Sequence, residues 1–206
     1  MGMRDGGMAD GANNTALDAV DAERARLFAL LGRLLSHAPD AALLARLKLL
    51  PRGPGELGDA YAAISAAAAA ATPEALEREF FDLFIGVGRG ELLPYASYYL
   101  TGFLHERPLA DLRGDLMRLG IEKAEGIAEP EDHIAFMCEV LAGLIAGAFA
   151  AEPEQANDFF TRHMRPWAGR FFADLEKAEM AVFYRAVGRL GRTVIEIEAA
   201  AADLPA

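Results

Sequence analysis

Apolar residues recur along this chain at intervals of three and four. Leu27, Leu30, Leu31, Leu34 and Leu35 form one stripe, and Leu76, Phe80, Leu83 and Phe84 form a second. Leu109, Leu112, Leu116 and Leu119 make a third. A fourth contains Ile134, Met137, Cys138, Leu141, Leu144, Ile145 and Ala148. Trp167, Phe171 and Leu175, then Phe183, Val187, Leu190, Val194 and Ile197, complete the series. This is the spacing of one face of a 3.6-residue helix. No run alternates with period two in Val, Ile or Thr. The pattern therefore predicts an all-α protein of roughly nine helices, at the usual mean of about 11–12 residues each.

The rhythm breaks at a few places. Thr72-Pro73 reads as a helix cap followed by proline in the first turn. Pro51 to Gly55 is a turn, and Pro108 sets off the third stripe. Gly86 to Pro94, reading GVGRGELLP, is a glycine-rich loop, and residues 120–130, reading GIEKAEGIAEP, form a charged connector. These breaks divide the chain into a tail (1–16), an N-terminal lobe (17–119), the connector (120–130) and a C-terminal lobe (131–206). Gly120, Gly126 and Pro130 are the expected hinge positions. The tail is rich in Gly, Asp, Asn and Ala and lacks the apolar centre of a secretory signal.

Composition narrows the class. Mean hydropathy is +0.14, raised by alanine runs such as Ala66 to Ala71. The longest apolar stretches are interrupted by Glu139, Arg185, Arg189 and Arg192, so no membrane-spanning helix is expected. Thirty-one acidic against 20 basic residues leave a net charge of −11 over 206 residues. A phosphate-binding surface has to be locally basic, so nucleic acid is disfavoured, whereas a cationic peptide is favoured. Cys138 is the one cysteine, which excludes an internal disulfide and suggests a buried thiol in a reducing compartment.

Candidate chemistry is sparse. Gly86, Gly88 and Gly90 resemble a phosphate cradle, but they follow a helix where the nucleotide motifs require a strand. They read equally as a helix C-cap and reversal. A nucleotide-binding or hydrolysing protein using Gly86 to Gly90 with Asp132 is the alternative function. Glu129, Asp132, His133 and the distant His163 are conceivable metal ligands, yet no two histidines stand one helical turn apart. The same stretch also reads as a helix start, with Glu129 as cap, Pro130 in the first turn, and Glu131 and Asp132 complementing the dipole. That reading leaves His133 unexplained. Ser97 lacks a nucleophile elbow, and Cys138 lies five residues from His133, a poor spacing on a helix. No catalytic residue, metal or cofactor is expected. Phe159, Phe160, Trp167, Phe171 and Phe172 have core spacing, with a peptide groove as the alternative.

Two of the breaks carry a resemblance. Residues 80–104, FFDLFIGVGRGELLPYASYYLTGFL, contain Leu83-Phe84-Ile85-Gly86 and then Pro94-Tyr95-Ala96-Ser97-Tyr98-Tyr99. Glu129-Pro130-Glu131-Asp132-His133 follows, leading into an apolar helix. Phe159-Phe160, His163 and Pro166-Trp167 supply a third, looser pattern. In order and spacing these motifs resemble the TorD/DmsD/NarJ family of molybdoenzyme chaperones, over roughly residues 20–198. The family's loop commonly has Pro-Pro-Tyr-Glu-Ser where this chain has Leu93-Pro94-Tyr95-Ala96-Ser97.

The resemblance implies a helical, non-enzymatic cytoplasmic chaperone. It would bind the twin-arginine signal peptide of a molybdopterin oxidoreductase precursor, its apo form, or both, assisting cofactor insertion and delaying export until maturation. The loop wording is similar to relatives that accompany formate-dehydrogenase-type enzymes. The family also implies a monomer or a dimer made by exchanging lobes through the connector. Glu129, Asp132 and His133, with Tyr95, Ser97 and Tyr98, are the expected peptide-binding residues. A twin-arginine signal presents two guanidinium groups and an apolar stretch, so its binder should offer carboxylates beside an apolar groove.

Overall fold

The computed structural model describes residues 10–203 apart from 125, 127, 150, 151 and 153, with side chains from residue 19 onward. Among these residues the three-and-four spacing folds into ten α-helices and no strand. They are α1 (Asp10–Ser36), α2 (Ala41–Leu47), α3 (Gly55–Ala70), α4 (Pro73–Phe80), α5 (Ala96–Thr101), α6 (Arg107–Arg118), α7 (Ile134–Ile145), α8 (Glu154–Phe159), α9 (Ala168–Lys177) and α10 (Tyr184–Ala202). α4 and α8 each run on into a five-residue π-helical turn, Phe81–Ile85 and Phe160–Met164. α1 begins at Asp10 and so includes positions 10–16 of the expected tail, because extending an existing helix is cheap per residue. Residues 1–9 lie outside the described residues.

Local signals account for several helix ends. Thr72 caps α4, its hydroxyl accepting from the Ala75 N–H at 3.3 Å, with Pro73 in the first turn. Asp40 caps α2 through the Leu43 N–H at 2.7 Å. The EPEDH stretch differs from its expected role. α7 begins at Ile134, and its cap is His133, whose Nδ1 accepts from the Ala135 N–H at 3.1 Å. Glu129 to Asp132 form the turn before the helix. A histidine ring nitrogen can do the work of a capping oxygen, which the usual list of cap residues hides.

The halves on either side of the connector share one buried cluster. α1 packs along α7, α10 lies between α9 and α3, and α1 also touches α10. Trp167, Tyr184, Phe28, Phe160, Phe171, Phe172 and Phe183 are its largest fully buried side chains. Their polar atoms are satisfied: Trp167 Nε1–H donates to the His163 carbonyl at 2.7 Å, and the Tyr184 hydroxyl to the Leu34 carbonyl at 3.0 Å. The expected aromatic core thus holds, with Phe159 and Phe183 also bordering surface clefts. α9 and α10 meet closely at Gly188, where a Cβ would stand 2.5 Å from the Glu176 nitrogen. Arg24 on α1 grips Glu198 on α10, 3% exposed, through Nε at 3.0 Å and through Nη2. Cys138 is fully buried, and burial pushes its thiol well above the usual range, as the apolar setting predicts.

Candidate functional site

The loop before α5 and the turn before α7 pair through backbone. The Ala96 N–H donates to the Asp132 carbonyl at 3.0 Å and the Ile134 N–H to the Pro94 carbonyl at 2.9 Å. Between these bonds Tyr95 and His133 make an isolated antiparallel bridge. The two signature stretches, 35 residues apart at Ser97 and Asp132, therefore form a single clasp.

Asp132 locks the clasp from inside. Its Oδ2 accepts from the Ser97 N–H at 2.9 Å and from the Ser97 hydroxyl at 2.5 Å. Asp132 is 1% exposed and Ser97 fully buried. A carboxylate taking N–H and O–H donors at the first turn of a helix works as an external cap, here on α5. His133 is also buried, and its ring meets the Tyr95 ring edge-on, centroids 5.1 Å apart. Burial pushes the His133 pKa down to about 4, against the opposing pull of the Glu129 and Asp132 charges. The neutral ring accepts at Nδ1, which leaves the proton on Nε2.

Glu129 is the exposed member of the group. Its carboxylate accepts from the Tyr95 hydroxyl. Burial and the neighbouring carboxylate hold the Tyr95 phenol well above its ordinary range. Tyr98, half-buried, stands one turn into α5 against the ring of Tyr99, centroids 6.0 Å apart. The six expected residues thus divide. Tyr95, Tyr98 and Glu129 reach the surface, whereas Ser97, Asp132 and His133 hold the backbone beneath them.

Of the expected hinge, Gly120 and Gly126 have positive φ, 67° and 84°, which their lack of a Cβ permits. Pro130 begins the turn that carries the clasp, its carbonyl accepting from the His133 N–H at 3.1 Å. The connector is tethered by Ile121, 7% exposed, and by Lys123 Nζ, which donates to the Glu129 carbonyl at 2.7 Å.

Sequence reasoning missed other parts of the region. Arg113 on α6 donates twice to one oxygen of Glu131, at 2.9 and 2.7 Å, tying α6 to the clasp. Beyond α5, Leu100, Phe103 and Leu104 are 42%, 69% and 39% exposed. Below them Ala96, Leu100, Leu112 and Met137, with Asp111 and His163, line a cleft of about 130 Å³. His163 donates from Nε2 to Asp115 at 2.6 Å, and Arg162 and Arg118 reach the same carboxylate. Burial and the charge of Arg162 lower the His163 pKa to about 4. No local motif announces Arg113–Glu131 or His163–Asp115, because these partners lie 18 and 48 residues apart in sequence. Among the described residues no three His, Cys, Asp or Glu side chains come together as metal ligands.

The glycine loop closes on the helix it ends. The Gly86 N–H returns to the Phe81 carbonyl at 2.7 Å, and the Leu92 N–H to the Leu83 carbonyl at 2.8 Å. A Cβ on Gly90 would stand 2.5 Å from the Leu83 carbonyl oxygen. This is the C-cap and reversal, and Asp132 faces Ser97 instead of this loop.

Comparison with known proteins agrees with the motifs. The family described as nitrate reductase delta subunit matches residues 51–173. Chaperone protein TorD of Vibrio cholerae is 30% identical over 130 residues, 59% of this chain and 59% of its own. TorD of Aliivibrio fischeri is 30% identical over 133 residues, 60% of this chain and 62% of its own. The match thus spans about three fifths of the length of these curated relatives, which are named as chaperones and not as catalysts. A crystal structure from Archaeoglobus fulgidus, described as a redox enzyme maturation protein, superposes with a TM-score of 0.57. That superposition covers 94% of this chain and 97% of the other at 22% identity, so it bears on the fold alone. The motif order, the clasp that joins two of those motifs and the match over residues 51–173 lead to one statement: the chain belongs to the nitrate reductase delta subunit family.

Proposed function

We propose that this chain is a maturation chaperone for a molybdopterin oxidoreductase. It engages the twin-arginine signal peptide of the catalytic-subunit precursor in the cytoplasm and delays export until the cofactor is in place. The observation that carries this reading is an exposed carboxylate on a rigid support. Glu129 is held by the Tyr95 hydroxyl, and Tyr95 is pinned by the Asp132–Ser97 clasp. A carboxylate fixed in this way meets a guanidinium with less ordering cost than a free side chain would. Leu100, Phe103 and Leu104, exposed just beyond, suit the apolar part of a signal. The naming of the Vibrio cholerae and Aliivibrio fischeri relatives as TorD chaperones supports the same reading. The loop wording further points to a client of formate-dehydrogenase type. Among the described residues no helix is long and apolar enough to cross a membrane.

Calorimetry with a cognate leader peptide tests the proposal. Glu129→Gln should weaken binding by about fivefold, the worth of an exposed charged hydrogen bond at ~1 kcal/mol. The loss should vanish when the two arginines of the peptide are replaced by glutamine. An equal loss with either peptide would remove Glu129 from the contact.

A further inference from the structure

Two carboxylates pin the turn that leads into α10. Glu79 accepts from the N–H groups of Val182, Phe183 and Tyr184 at 2.8, 3.1 and 2.8 Å. Glu91 accepts from those of Glu179 and Met180 at 2.7 and 3.0 Å. The turn is thereby ordered in the free protein and anchored by buried Ala181 and Phe183, yet two of its apolar side chains face solvent, Met180 at 48% and Val182 at 78% exposure. Beside it, between α3 and α4, lies a cleft of about 360 Å³. Ala67, Ala71 and Ala75 line it together with Met180, Val182 and Asp82.

Apolar side chains displayed on a pre-ordered turn beside an alanine-lined cleft have the character of an interaction surface. The charge around it selects the partner. Its lining carries Glu79 and Asp82 against Arg78, and Glu74, Glu77 and Glu179 lie on the same segments outside the lining. Two copies of this chain meeting here would bring like charges together. A helix with an apolar face flanked by Lys or Arg would meet complementary charge. We propose that this cleft docks a basic amphipathic helix of the client polypeptide, at a surface separate from the Tyr95–Glu129 face. Only the identification of the partner as the client rests on the function proposed above.

The test uses the full chain and a labelled 18-residue model peptide with a leucine face and flanking lysines, and no twin-arginine motif. Fluorescence anisotropy should show binding that weakens about tenfold in Met180→Ser/Val182→Ser, the loss of two apolar contacts. Asp82→Asn should weaken it about threefold at low salt, and a peptide with glutamate for lysine should bind far less. Leu49→Ser, at a position 82% exposed and outside the cleft lining, should change nothing. Binding of a leader peptide should be unaffected by the double variant, so a failed signal-peptide reading and a failed cleft reading give different results. In the unmodified chain, peptide titration should shift amide resonances of residues 67–82 and 179–184. Unchanged affinity in the double variant, shifts confined elsewhere, or an effect of the variant on self-association alone would each overturn the proposal.

Discussion

Asp132 and Ser97 meet at 2.5 Å between carboxylate and hydroxyl, both side chains withdrawn from solvent. This contact puts the most recognisable acidic residue of the chain beneath its candidate surface. Asp132→Asn should then act mainly on stability, costing about 1–3 kcal/mol as a buried hydrogen-bonded network is broken. For a chain of this size each kcal/mol lowers the melting temperature by about 2–4 °C. Ser97→Ala should cost less, and the double variant should fall short of the sum, since both remove the same bond. Additive losses in thermal melts would show that the two side chains do not act together.

The braces at α10 supply a second prediction. Glu79→Ala strips an acceptor from three backbone donors at a helix start and should cost about 1–2 kcal/mol. Glu79→Gln should recover part of this, because an amide oxygen still accepts. Hydrogen exchange should speed up at residues 182–184 before it does in α7.

Glycine substitutions separate capping from ligand binding in the loop. Gly90→Ala meets the Leu83 carbonyl and should be strongly destabilising. Gly88→Ala faces open space and carries only the strain of φ 95°, about 1 kcal/mol. ATP or GTP added in millimolar amounts should leave the melting temperature of the unaltered chain unchanged. A nucleotide-dependent rise that Gly88→Ala abolishes would revive the phosphate-cradle reading.

Two buried histidines set an acid limit. His133 and His163 each have a folded pKa of about 4, below the ~6.5 of an unfolded chain. The unfolded state therefore binds more protons in this window. Their contribution to stability is complete above pH ~6.5 and is lost as pH falls from there through about 4, by up to ~1.4 kcal/mol per pH unit for each histidine. His133→Gln should flatten the denaturation profile between pH 6.5 and 4. An unchanged slope would mean that the ring does not titrate with folding.

Exchange of halves through the connector makes a kinetic prediction. α1 packs on α7 and α3 on α10, so a swapped dimer must rebuild these interfaces between chains. Monomer and dimer should then separate by size exclusion and interconvert slowly, because exchange requires opening the shared core. One species at every concentration, with no slow exchange, would count against the hinge at Gly120, Gly126 and Pro130.

What the sequence determined by itself is periodicity and motif. The stripes of Leu31, Leu34, Met137, Leu141 and Val187 place helices and buried faces, because burial of one helix face is a local consequence of three-and-four spacing. The order of the Leu-Phe-x-Gly, Pro-Tyr-x-Ser and Glu-Pro-x-Asp-His stretches marks the family, since motif order is itself a property of sequence. Which member of a motif faces solvent was decided only by the tertiary structure. Glu129 and Asp132 are both acids in one five-residue stretch, yet one is exposed and the other 1% exposed. The difference comes from Ser97, 35 residues away, whose N–H and hydroxyl compensate a carboxylate in the interior. The bracing of the α10 turn by Glu79 and Glu91 is of the same kind. Such contacts span about a hundred residues and leave no periodic trace, so they exist only once the helices have packed.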